Sequence, residues 1–525
     1  MIPNNSPVFK ILALAPFGFS DKSIPGPMPV PVSLADLNPV MASFGLNTYV
    51  PLPQALCPQG GVDVSCARIK DFHPDAMAEN LPFLQHLLAA KRYLDRSLPS
   101  GMSAAEIRKG LEQWPDLPQM GVTQHPKSSS RTSRTLDNIL DMVALPDGTA
   151  AASVQASDGK DLPGDLLQKT LDAIFHHRPF ITSEASWRGL HHLLKAVHRD
   201  AKIRVSIAHV SSETLQETLQ NLLPDMVKDL PALILVDLPL DNTNQNQRLL
   251  EAIAEFAATL MTPGLVWLSP AFFNLLSWEE LSKRPFLPHF LEEAAYAKWR
   301  SLKQDGNSNW LAVTCNRILL RYPYGPQNKP RVFPYEEGRL PWVAPVWGVA
   351  DLIVQGLLKN GWPTRFTHKD RFQVEDLALH ADAHGQHATE TIFSMDRADQ
   401  LFRSGIIPLM GMKDKDVAFA PGETTLGGIS RAHQLYLSGI IRFLLSLQEK
   451  RGIDFKDRLP EAWIQDALAR FLEDSLEPSA DAVSVVLNRP DTNQRVPVTF
   501  KIMPSQAVLT TAQALEFTLS WHLAS

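Results

Sequence analysis

The sequence contains few cysteines: three residues, Cys57, Cys66 and Cys315, in a chain of 525. An odd and sparse set of thiols does not build a disulfide framework, and it favours a reducing compartment. No two of these cysteines form a CxxC pair, so the usual motif for structural zinc or thiol redox chemistry is missing. The cysteine content therefore argues against a disulfide-stabilised protein.

Long hydrophobic runs are also missing. The longest uninterrupted apolar stretch beyond the N-terminus is Ala232–Val236, far shorter than the roughly 20 residues of a membrane-spanning helix. The N-terminal apolar run is short, lacks a basic region and meets Pro16, so we expect a strand there and no signal peptide. These features predict a cytoplasmic chain with no direct membrane insertion.

Neither sign of charge dominates the sequence. Fifty Lys and Arg residues against 56 Asp and Glu residues give a formal net charge of −6, so we predict no phosphate-binding surface over the whole chain and no nucleic-acid partner. Charged residues make up 20% of the sequence and hydrophobic residues 44%, which is typical of packed globular domains. At roughly 100–200 residues per domain, the length allows about three or four domains.

The motifs of the main enzyme classes are absent. The sequence has no GxxxxGK(S/T) or GxGxxG loop, no GxSxG nucleophile turn and no HExxH zinc motif. Asp237 lies in the apolar segment ALILVDLPL, where an open α/β sheet places catalytic or nucleotide-binding carboxylates, but it lacks recognisable partners. We therefore predict a protein that is not an enzyme, with no catalytic residue and no cofactor. An α/β hydrolase or nucleotide-binding enzyme centred on Asp237 is the least favoured alternative.

Two segments that contain histidine invite interpretation as metal sites. The segment DFHPD at residues 71–75 places two aspartates and a histidine at alternate positions, which can converge on one ion. Pro74 suits the first position of a helix, so we interpret this segment as a helix start. His191 and His192 are adjacent in a predicted helix and do not face one way, so we assign them to helix surface and packing. We predict no metal site.

Aromatic and arginine residues are dense in Arg317–Tyr324 and Pro334–Glu337, and four tryptophans lie near these segments, Trp299, Trp310, Trp342 and Trp347. Tyr, Trp and Arg are the residues that dominate binding surfaces. Tryptophans also fill hydrophobic cores. The sequence leaves a binding surface and a core open as interpretations.

The N-terminal part is predicted to be a small α+β module over residues 1–118, in which Val8–Leu14 is a strand and Pro82 separates or bends helices. Residues Met120–Ser133 are polar and without periodicity, so we expect a linker over 119–160. Within it, a short amphipathic helix is predicted at Thr135–Val143.

From Leu162 onward the pattern is α/β, because strands such as Ala232–Leu238 alternate with helices of ten or more residues. This predicts an α/β body over 161–480, α+β overall, with a mixed sheet flanked by helices. In residues 481–525, Val483–Leu487 and Arg495–Ile502 flank a hairpin signal and a third strand follows. Three strands at a chain end make a weak sheet unless another chain pairs with their edges.

These segments resemble a known family. Residues 8–98 resemble the small subunit of the contractile sheath of type VI secretion systems, above all in IKDFHPDAMAENLPFLQHLLAAKRYL at 69–94. Residues 135–525 resemble the large sheath subunit. The segments that carry this second resemblance are Ser183–Val197, Lys202–Ser211, Ser277–Leu281, Asn316–Pro326, Pro334–Gly338, Asn360–Phe366, Ser404–Leu409 and Glu516–Ser525.

The resemblance implies a natural fusion of the two sheath subunits. Such a chain would be a structural protomer that assembles by strand exchange into a helical tube around an inner tube and contracts to drive protein injection. The implied partners are further copies of the chain, the inner-tube protein, the baseplate and an AAA+ disassembly ATPase. A baseplate or adaptor component of a contractile injection machine is the alternative.

Two sets of residues are candidates for these contacts. For the strand-exchange interface, the apolar positions of the two C-terminal strands are Val483, Val485, Leu487, Val496, Val498, Phe500 and Ile502. In the family, the ATPase grips a short helix near the N-terminus of the large subunit. The positional match here is the predicted helix with Leu136, Ile139, Leu140 and Val143.

Overall fold

The computed structural model describes residues 7–19, 28–100, 102–118, 122–125, 153–156, 163–450, 460–476, 482–490, 495–510 and 514–522. The chain divides into two compact units. The large unit comprises residues 1–45, 182–322 and 340–525, and the small unit comprises residues 46–181 and 323–339. The predicted helix with Leu136, Ile139, Leu140 and Val143 lies outside the described residues.

Strands and helices alternate along most of the described chain. The strands are β1 Phe9–Ala15, β2 Val30–Val32, β3 Leu46–Pro51, β4 Gly61–Cys66, β5 Val122–His125, β6 Ser153–Ala156, β7 Ile203–His209, β8 Leu233–Leu240, β9 Gly264–Leu268, β10 Leu311–Cys315, β11 Ile318–Leu319, β12 Trp342–Val343, β13 His380–Asp382, β14 Gly385–His387, β15 Ile406–Pro408, β16 Met410–Gly411, β17 Ala418–Phe419, β18 Val483–Leu487, β19 Arg495–Ile502 and β20 Leu515–His522. The helices are α1 Leu37–Ser43, α2 Pro74–Asn80, α3 Pro82–Ser97, α4 Ala104–Leu111, α5 Pro163–His176, α6 Arg178–Val197, α7 Leu215–Lys228, α8 Asn244–Thr259, α9 Leu287–Phe290, α10 Ala297–Gln304, α11 Pro345–Asn360, α12 Met395–Arg403, α13 Arg431–Lys450 and α14 Pro460–Leu472.

The main sheet of the large unit has seven described strands in the order β15–β10–β9–β8–β1–β7–β2. Adjacent strands run parallel from β15 to β7, and the short edge strand β2 runs antiparallel to β7. Every residue of β9 and β10 is buried, as expected for parallel strands that are covered on both faces. The predicted mixed sheet flanked by helices is confirmed.

The first strand of the chain is an inner strand of this sheet. β1 pairs with β7 from Phe9↔Ile203 to Ala15↔His209 and with β8 on its other side. Its partners are therefore about 200 residues away in sequence. For this reason the structural units are interleaved along the chain, and they do not coincide with the expected boundaries at residues 118 and 160. Part of the expected linker also forms strands, because β5 pairs with β6.

A break separates β10 from β11 at Asn316, whose φ is 76°. The amide of Asn316 donates to the Thr391 and Leu409 carbonyls at 2.9 and 2.7 Å, so its side chain ties this break to another segment. The turn that precedes α10, Ala294–Tyr296, is a 3₁₀-helix.

The C-terminal part of the large unit has a core of its own. Helices α13 and α14 and the strands β18–β20 contribute to one cluster of buried residues. The phenyl rings of Phe443 and Phe471, one from each helix, are stacked with centroids 4.1 Å apart. This cluster supports the sheet from one face.

The small unit is built on an antiparallel pair, β3 and β4, and on helices α2 to α5. Pro74 begins α2 and Pro82 begins α3, because proline tolerates the first helical turn but breaks a helix interior. The apolar face of α3, which includes Leu84, Leu87 and Leu94, is buried, and α3 packs against α5.

Candidate assembly surface

The C-terminal strands form a three-stranded antiparallel sheet in the order β18–β19–β20. The middle strand, β19, pairs with β18 over five residues and with β20 over eight. Both edges of β19 are therefore used within one chain. The remaining edges of this sheet are the outer edge of β18 and the outer edge of β20.

All seven predicted strand-exchange residues come together on one face of this sheet. Cross-strand pairs place Val483 opposite Ile502, Val485 opposite Phe500 and Leu487 opposite Val498. Six of the seven are buried and Leu487 is half-buried, and all seven belong to or pack against the cluster with α13 and α14. These side chains therefore form the chain's own core, and any pairing with another copy would use the backbone of the outer edges.

The outer edge of β18 is partly occupied. The Asn488 N–H and the Ala482 carbonyl are both hydrogen-bonded on the side of β19 and its continuation. The even-numbered residues of this segment therefore direct their N–H and C=O groups toward β19, and the odd-numbered residues direct theirs outward. Gln465 of α14 donates to the outward Val483 carbonyl at 2.8 Å. The outward N–H and C=O of Val485 have no partner among the described residues.

The outer edge of β20 is longer and more open. The alternation along β19 directs the N–H and C=O groups of Glu516, Thr518 and Ser520 outward. Gln448 of α13 donates to the Ser520 carbonyl at 3.2 Å, but within the described part of the chain the outward backbone groups of Glu516 and Thr518 have no partner. An exposed edge of eight residues without proline is a template for another strand.

Asp237 is a buried polar hub and not part of an open cleft. Its carboxylate accepts hydrogen bonds from Trp347 Nε1 at 2.7 Å, Trp267 Nε1 at 3.1 Å and Ser186 Oγ at 3.2 Å. Burial raises the pKa of the Asp237 carboxyl in spite of these three donors. The carboxylate thus connects β8 with β9, α6 and α11, which is a structural role.

The DFHPD segment caps backbone groups in the small unit. Asp71 accepts from the N–H of Arg68 at 2.9 Å, and His73 Nδ1 accepts from the Asp75 N–H at the start of α2. The Asp75 carboxylate accepts from two backbone N–H groups, at residues 331 and 332, each at 2.9 Å. All three side chains are engaged in organising the backbone around a helix start.

The arginines of the segment Arg317–Tyr324 form ion pairs in the large unit. Arg317 Nη2 lies 2.6 Å from Glu390 Oε1, and Arg321 Nε lies 2.9 Å from Glu184 Oε1. Burial acts to raise the pKa of Glu184, but the guanidinium groups of Arg321 and Arg188 outweigh it and hold this pKa at about 2. These arginines therefore support the fold.

The aromatic residues of the same segments are mostly core. In the small unit, Tyr324 and Tyr335 are buried and their rings lie 5.4 and 5.3 Å from that of Phe175. In the large unit, Trp299 and Trp347 are fully buried. Of the two interpretations left open by the sequence, the structure favours the core for these four residues.

The histidine pair of α6 is divided between two environments. His192 Nε2 lies 3.3 Å from Asp351 Oδ2 on α11. Burial, assisted by the charges of Lys195 and Arg188, lowers the pKa of His191 to about 4. Each histidine therefore packs at the helix surface with its own neighbours.

Every helix in the described part of the chain is too short or too polar to cross a lipid bilayer.

Comparison with protein families gives two matches in chain order. Residues 17–114 match the model described as "Type VI secretion system, VipA, VC_A0107 or Hcp2". Residues 164–227 and 231–426 match the model described as "EvpB/VC_A0108, tail sheath N-terminal domain". The two models thus match the two successive parts of the chain.

Individual relatives are similar to this chain at low sequence identity. The type VI secretion system sheath protein TssC1 of Pseudomonas aeruginosa is 26% identical over 331 residues, which cover 56% of this chain and 65% of that protein. The chain thus spans slightly less than two thirds of the relative's length. Among solved structures, the baseplate of the anti-feeding prophage is similar at 10% sequence identity and a TM-score of 0.36, over 65% of this chain and 78% of the other. The sheath tail protein Lin1278 of Listeria innocua is similar at 12% identity and a TM-score of 0.34, over 58% of this chain and 59% of the other. The contracted helical sheath of the anti-feeding prophage also matches, at 12% identity and a TM-score of 0.33, over 63% of this chain and 78% of the other.

Proposed function

The chain belongs to the sheath proteins of type VI secretion systems, with the small and the large sheath domain in one polypeptide, and we propose that it is a structural protomer of a contractile sheath. In this proposal, copies of the chain join by strand pairing into a helical tube around an inner tube, and contraction of the tube drives protein injection. The proposal assigns no catalytic step to the chain and no cofactor. Assembly takes place in the cytoplasm, in keeping with three cysteines that are all buried.

One observation carries the assembly step: the C-terminal sheet has a buried interior, and on the outer edge of β20 the backbone groups of Glu516 and Thr518 have no partner among the described residues. A strand added to this edge would make several backbone hydrogen bonds, each with a net contribution of about 1 kcal/mol. Backbone pairing does not depend on the apolar side chains, which are already buried in the core beneath the sheet. The link between neighbouring copies can therefore form without opening that core.

The chain also carries a second short sheet with open edges. β5 and β6 form an antiparallel pair of four residues each, and no further strand joins them among the described residues. A two-stranded sheet is marginal by itself. We propose that a strand of this pair is the segment that pairs with the outer edge of β20 in another copy.

Strand pairing is suited to a sheath that contracts. A subunit that is connected to neighbours through short sheets can rotate while those sheets stay intact. Two packings of one sequence differ by a few kcal/mol, and a difference on this order in each protomer adds along a tube into mechanical work. The inner-tube protein and the baseplate are the further partners in this proposal.

An AAA+ ATPase is the proposed disassembly partner. Its binding site would be the helix predicted at Thr135–Val143, through Leu136, Ile139, Leu140 and Val143. A peptide of this segment should bind the purified ATPase, and the double substitution Leu136→Asp with Ile139→Asp should abolish binding. Equal binding of both peptides would remove this helix from the proposal.

Electron microscopy tests the main proposal directly. The full chain, purified alone and with the inner-tube protein and imaged in negative stain at several salt concentrations, should form hollow tubules. A chain that stays monomeric under all of these conditions would contradict the proposal. Defined rings that do not elongate would instead favour the baseplate or adaptor alternative.

A further inference from the structure

A groove of about 550 Å³ in the large unit lies beside one end of the outer edge of β20. Its walls come from the start of β1, the end of α7, the last turns of α13 and His522 at the end of β20. Gln448 of α13 lines the groove and donates to the outward carbonyl of Ser520 at 3.2 Å. The groove therefore begins where the unpartnered backbone groups of the β20 edge end.

A strand that is added to the outer edge of β20 leads to this groove. Its backbone would pair with Glu516 and Thr518, but the side chain of Gln448 already occupies the carbonyl of Ser520. Whichever direction the added strand runs, one of its ends lies at this point. The chain beyond that end therefore continues over the groove.

The wall of the groove contains a guanidinium group without a counterion. The side chain of Arg442 on α13 is half-buried, and its Nη1 donates to the Val8 carbonyl at 3.2 Å. This bond uses one of five N–H donors, and the buried Nε has no hydrogen-bond partner. Within the described residues no carboxylate forms an ion pair with Arg442, the exposed Glu449 of the same groove included. Burial lowers the pKa of Arg442 to about 10, so the group is charged at neutral pH.

The other basic side chains of the groove are matched by acidic ones. Lys10 forms an ion pair with Asp229. Lys228 Nζ lies 3.5 Å from Asp225 Oδ1, and 76% of the Lys228 side chain is exposed. Water therefore solvates Lys228, whereas Arg442 is partly enclosed and has no opposite charge beside it. Arg442 is the position of this groove at which an incoming anion is needed.

We propose that Arg442 binds a carboxylate of a neighbouring copy, on an Asp or Glu side chain next to the strand that this copy adds to β20. A charge that is withdrawn from water is costly unless an opposite charge compensates it, and a guanidinium matches a carboxylate through two parallel hydrogen bonds. Val227, which is 56% exposed on the groove wall, offers apolar surface to the same segment.

The contact would fix the register of the added strand. Backbone hydrogen bonds along an open edge do not decide which residues pair, because a shift along the strand makes the same bonds. A carboxylate that has to reach Arg442 allows one register. This inference rests on the proposed function, since it names the group that the neighbouring copy brings to the β20 edge.

Tubule formation by the full chain tests the inference. Arg442→Gln removes the charge and keeps N–H donors, so we expect it to raise the critical concentration for tubules, measured by sedimentation, by at least about tenfold. Its Tm below that concentration should stay close to that of the wild-type chain. Arg442→Lys keeps the charge and should assemble better than Arg442→Gln. The matched control is Lys228→Gln, which removes an exposed charge from the same groove and should change the critical concentration less than about twofold.

A carbodiimide can identify the bound carboxylate, because it couples an amine to a carboxylate that touches it. Tubules of Arg442→Lys are built from equal amounts of ¹⁵N-labelled and unlabelled copies and then treated with the reagent. We expect mass spectrometry to find the peptide with position 442 joined to an acidic peptide of the other isotope label. Such a product shows that the carboxylate belongs to another copy.

The outcomes separate this inference from the proposed function. If the wild-type chain forms tubules and folded Arg442→Gln forms them at the same concentration, the inference is overturned and the sheath proposal stands. Coupling of position 442 only to carboxylates of its own copy overturns it as well. If the wild-type chain forms no tubules, the sheath proposal and this inference are both overturned.

Discussion

The indole N–H of Trp347 donates to the carboxylate of Asp237 at 2.7 Å in the interior of the large unit. Trp347 belongs to α11 and Asp237 to β8, so this bond connects a helix with the central sheet that it covers. Ser186 of α6 and Trp267 of β9 donate to the same carboxylate. Four elements therefore share one buried acceptor, and the interaction gives this strand–helix arrangement a specific geometry.

Substitution of Asp237 should destabilise the large unit. Asp237→Ala leaves the donors of Trp347, Trp267 and Ser186 without an acceptor, and we expect a loss of at least about 3 kcal/mol in the free energy of unfolding. Asp237→Asn keeps one acceptor oxygen and should lose less. Urea unfolding followed by tryptophan fluorescence measures both. Equal stability of Asp237→Ala and the wild-type chain would contradict the structural role.

A glycine on α6 allows Trp347 to approach. A Cβ atom added at Gly189 would lie 2.4 Å from Cδ1 of Trp347, so Gly189→Ala must displace that indole and its bond to Asp237. We expect a loss of about 1–3 kcal/mol, as for other overpacked cores. Gly164→Ala is the matched control, because its added Cβ has only an ordinary contact, 3.8 Å from Lys91 Cε. Chemical denaturation of both variants measures their free energies of unfolding. If Gly189→Ala is as stable as the wild-type chain, the contact between α6 and Trp347 is not tight.

Much of the local structure of this chain can be predicted from sequence because it depends on local chemistry. The apolar run in β8 predicts a strand buried on both faces, Pro74 predicts the start of a helix, and Pro82 predicts a separation or bend between helices. The position of β1 cannot be predicted in this way, because it depends on pairing with β7 and β8, about 200 residues away. The break at Asn316 is equally non-local, since the side chain bonds to Thr391 and Leu409.

The candidate assembly surface, like the fold, can be predicted from sequence only where it depends on local chemistry. The alternation of apolar residues predicts that Val498 and its neighbours lie on one face of a sheet, and they do. Periodicity does not say which strand is central, and β19 proves to be paired on both sides.

Acid should weaken the large unit through Glu184. The pKa of Glu184 in the folded chain is lowered from 4.5 to about 2, so its contribution to stability is complete above about pH 4.5 and is lost as the pH falls toward 2. At about 1.4 kcal/mol per pKa unit, this contribution is on the order of 3 kcal/mol. The free energy of unfolding should therefore fall more steeply with acid in the wild-type chain than in Glu184→Gln. Identical slopes would mean that Glu184 does not titrate in this range.

Proline at the centre of the C-terminal sheet should break the sheet itself. The N–H of Val498 faces β20 in the β19–β20 ladder, so Val498→Pro removes an internal hydrogen bond and a buried side chain. We expect the variant to lose assembly and to expose the core under β18–β20, while the seven-stranded sheet stays folded. Hydrogen exchange measured by mass spectrometry should show faster exchange in residues 482–522 than in β8 or β9. Normal tubules from this variant would rule out the C-terminal sheet as the assembly element.

A change at the outer edge separates assembly from folding. The N–H of Thr518 points away from β19 and has no partner among the described residues, so Thr518→Pro removes a donor that only another chain could use. We expect Thr518→Pro to abolish tubules with little change in Tm. Thr518→Val keeps the N–H and the branched shape, so it should assemble as the wild-type chain does.

The comparison of these two variants identifies the edge that is used, because they differ at one backbone donor on one strand. Loss of tubules in both would indicate a role for the Thr518 hydroxyl, which lies 3.1 Å from that of Thr499, and not for the edge. Tubules in both would exclude the outer edge of β20. The corresponding test on β18 is Val485→Pro against Val485→Ala, since Val485 directs its N–H outward from that strand and both substitutions remove the buried side chain. The strand whose proline variant alone fails to assemble is the strand on which the neighbouring copy is added.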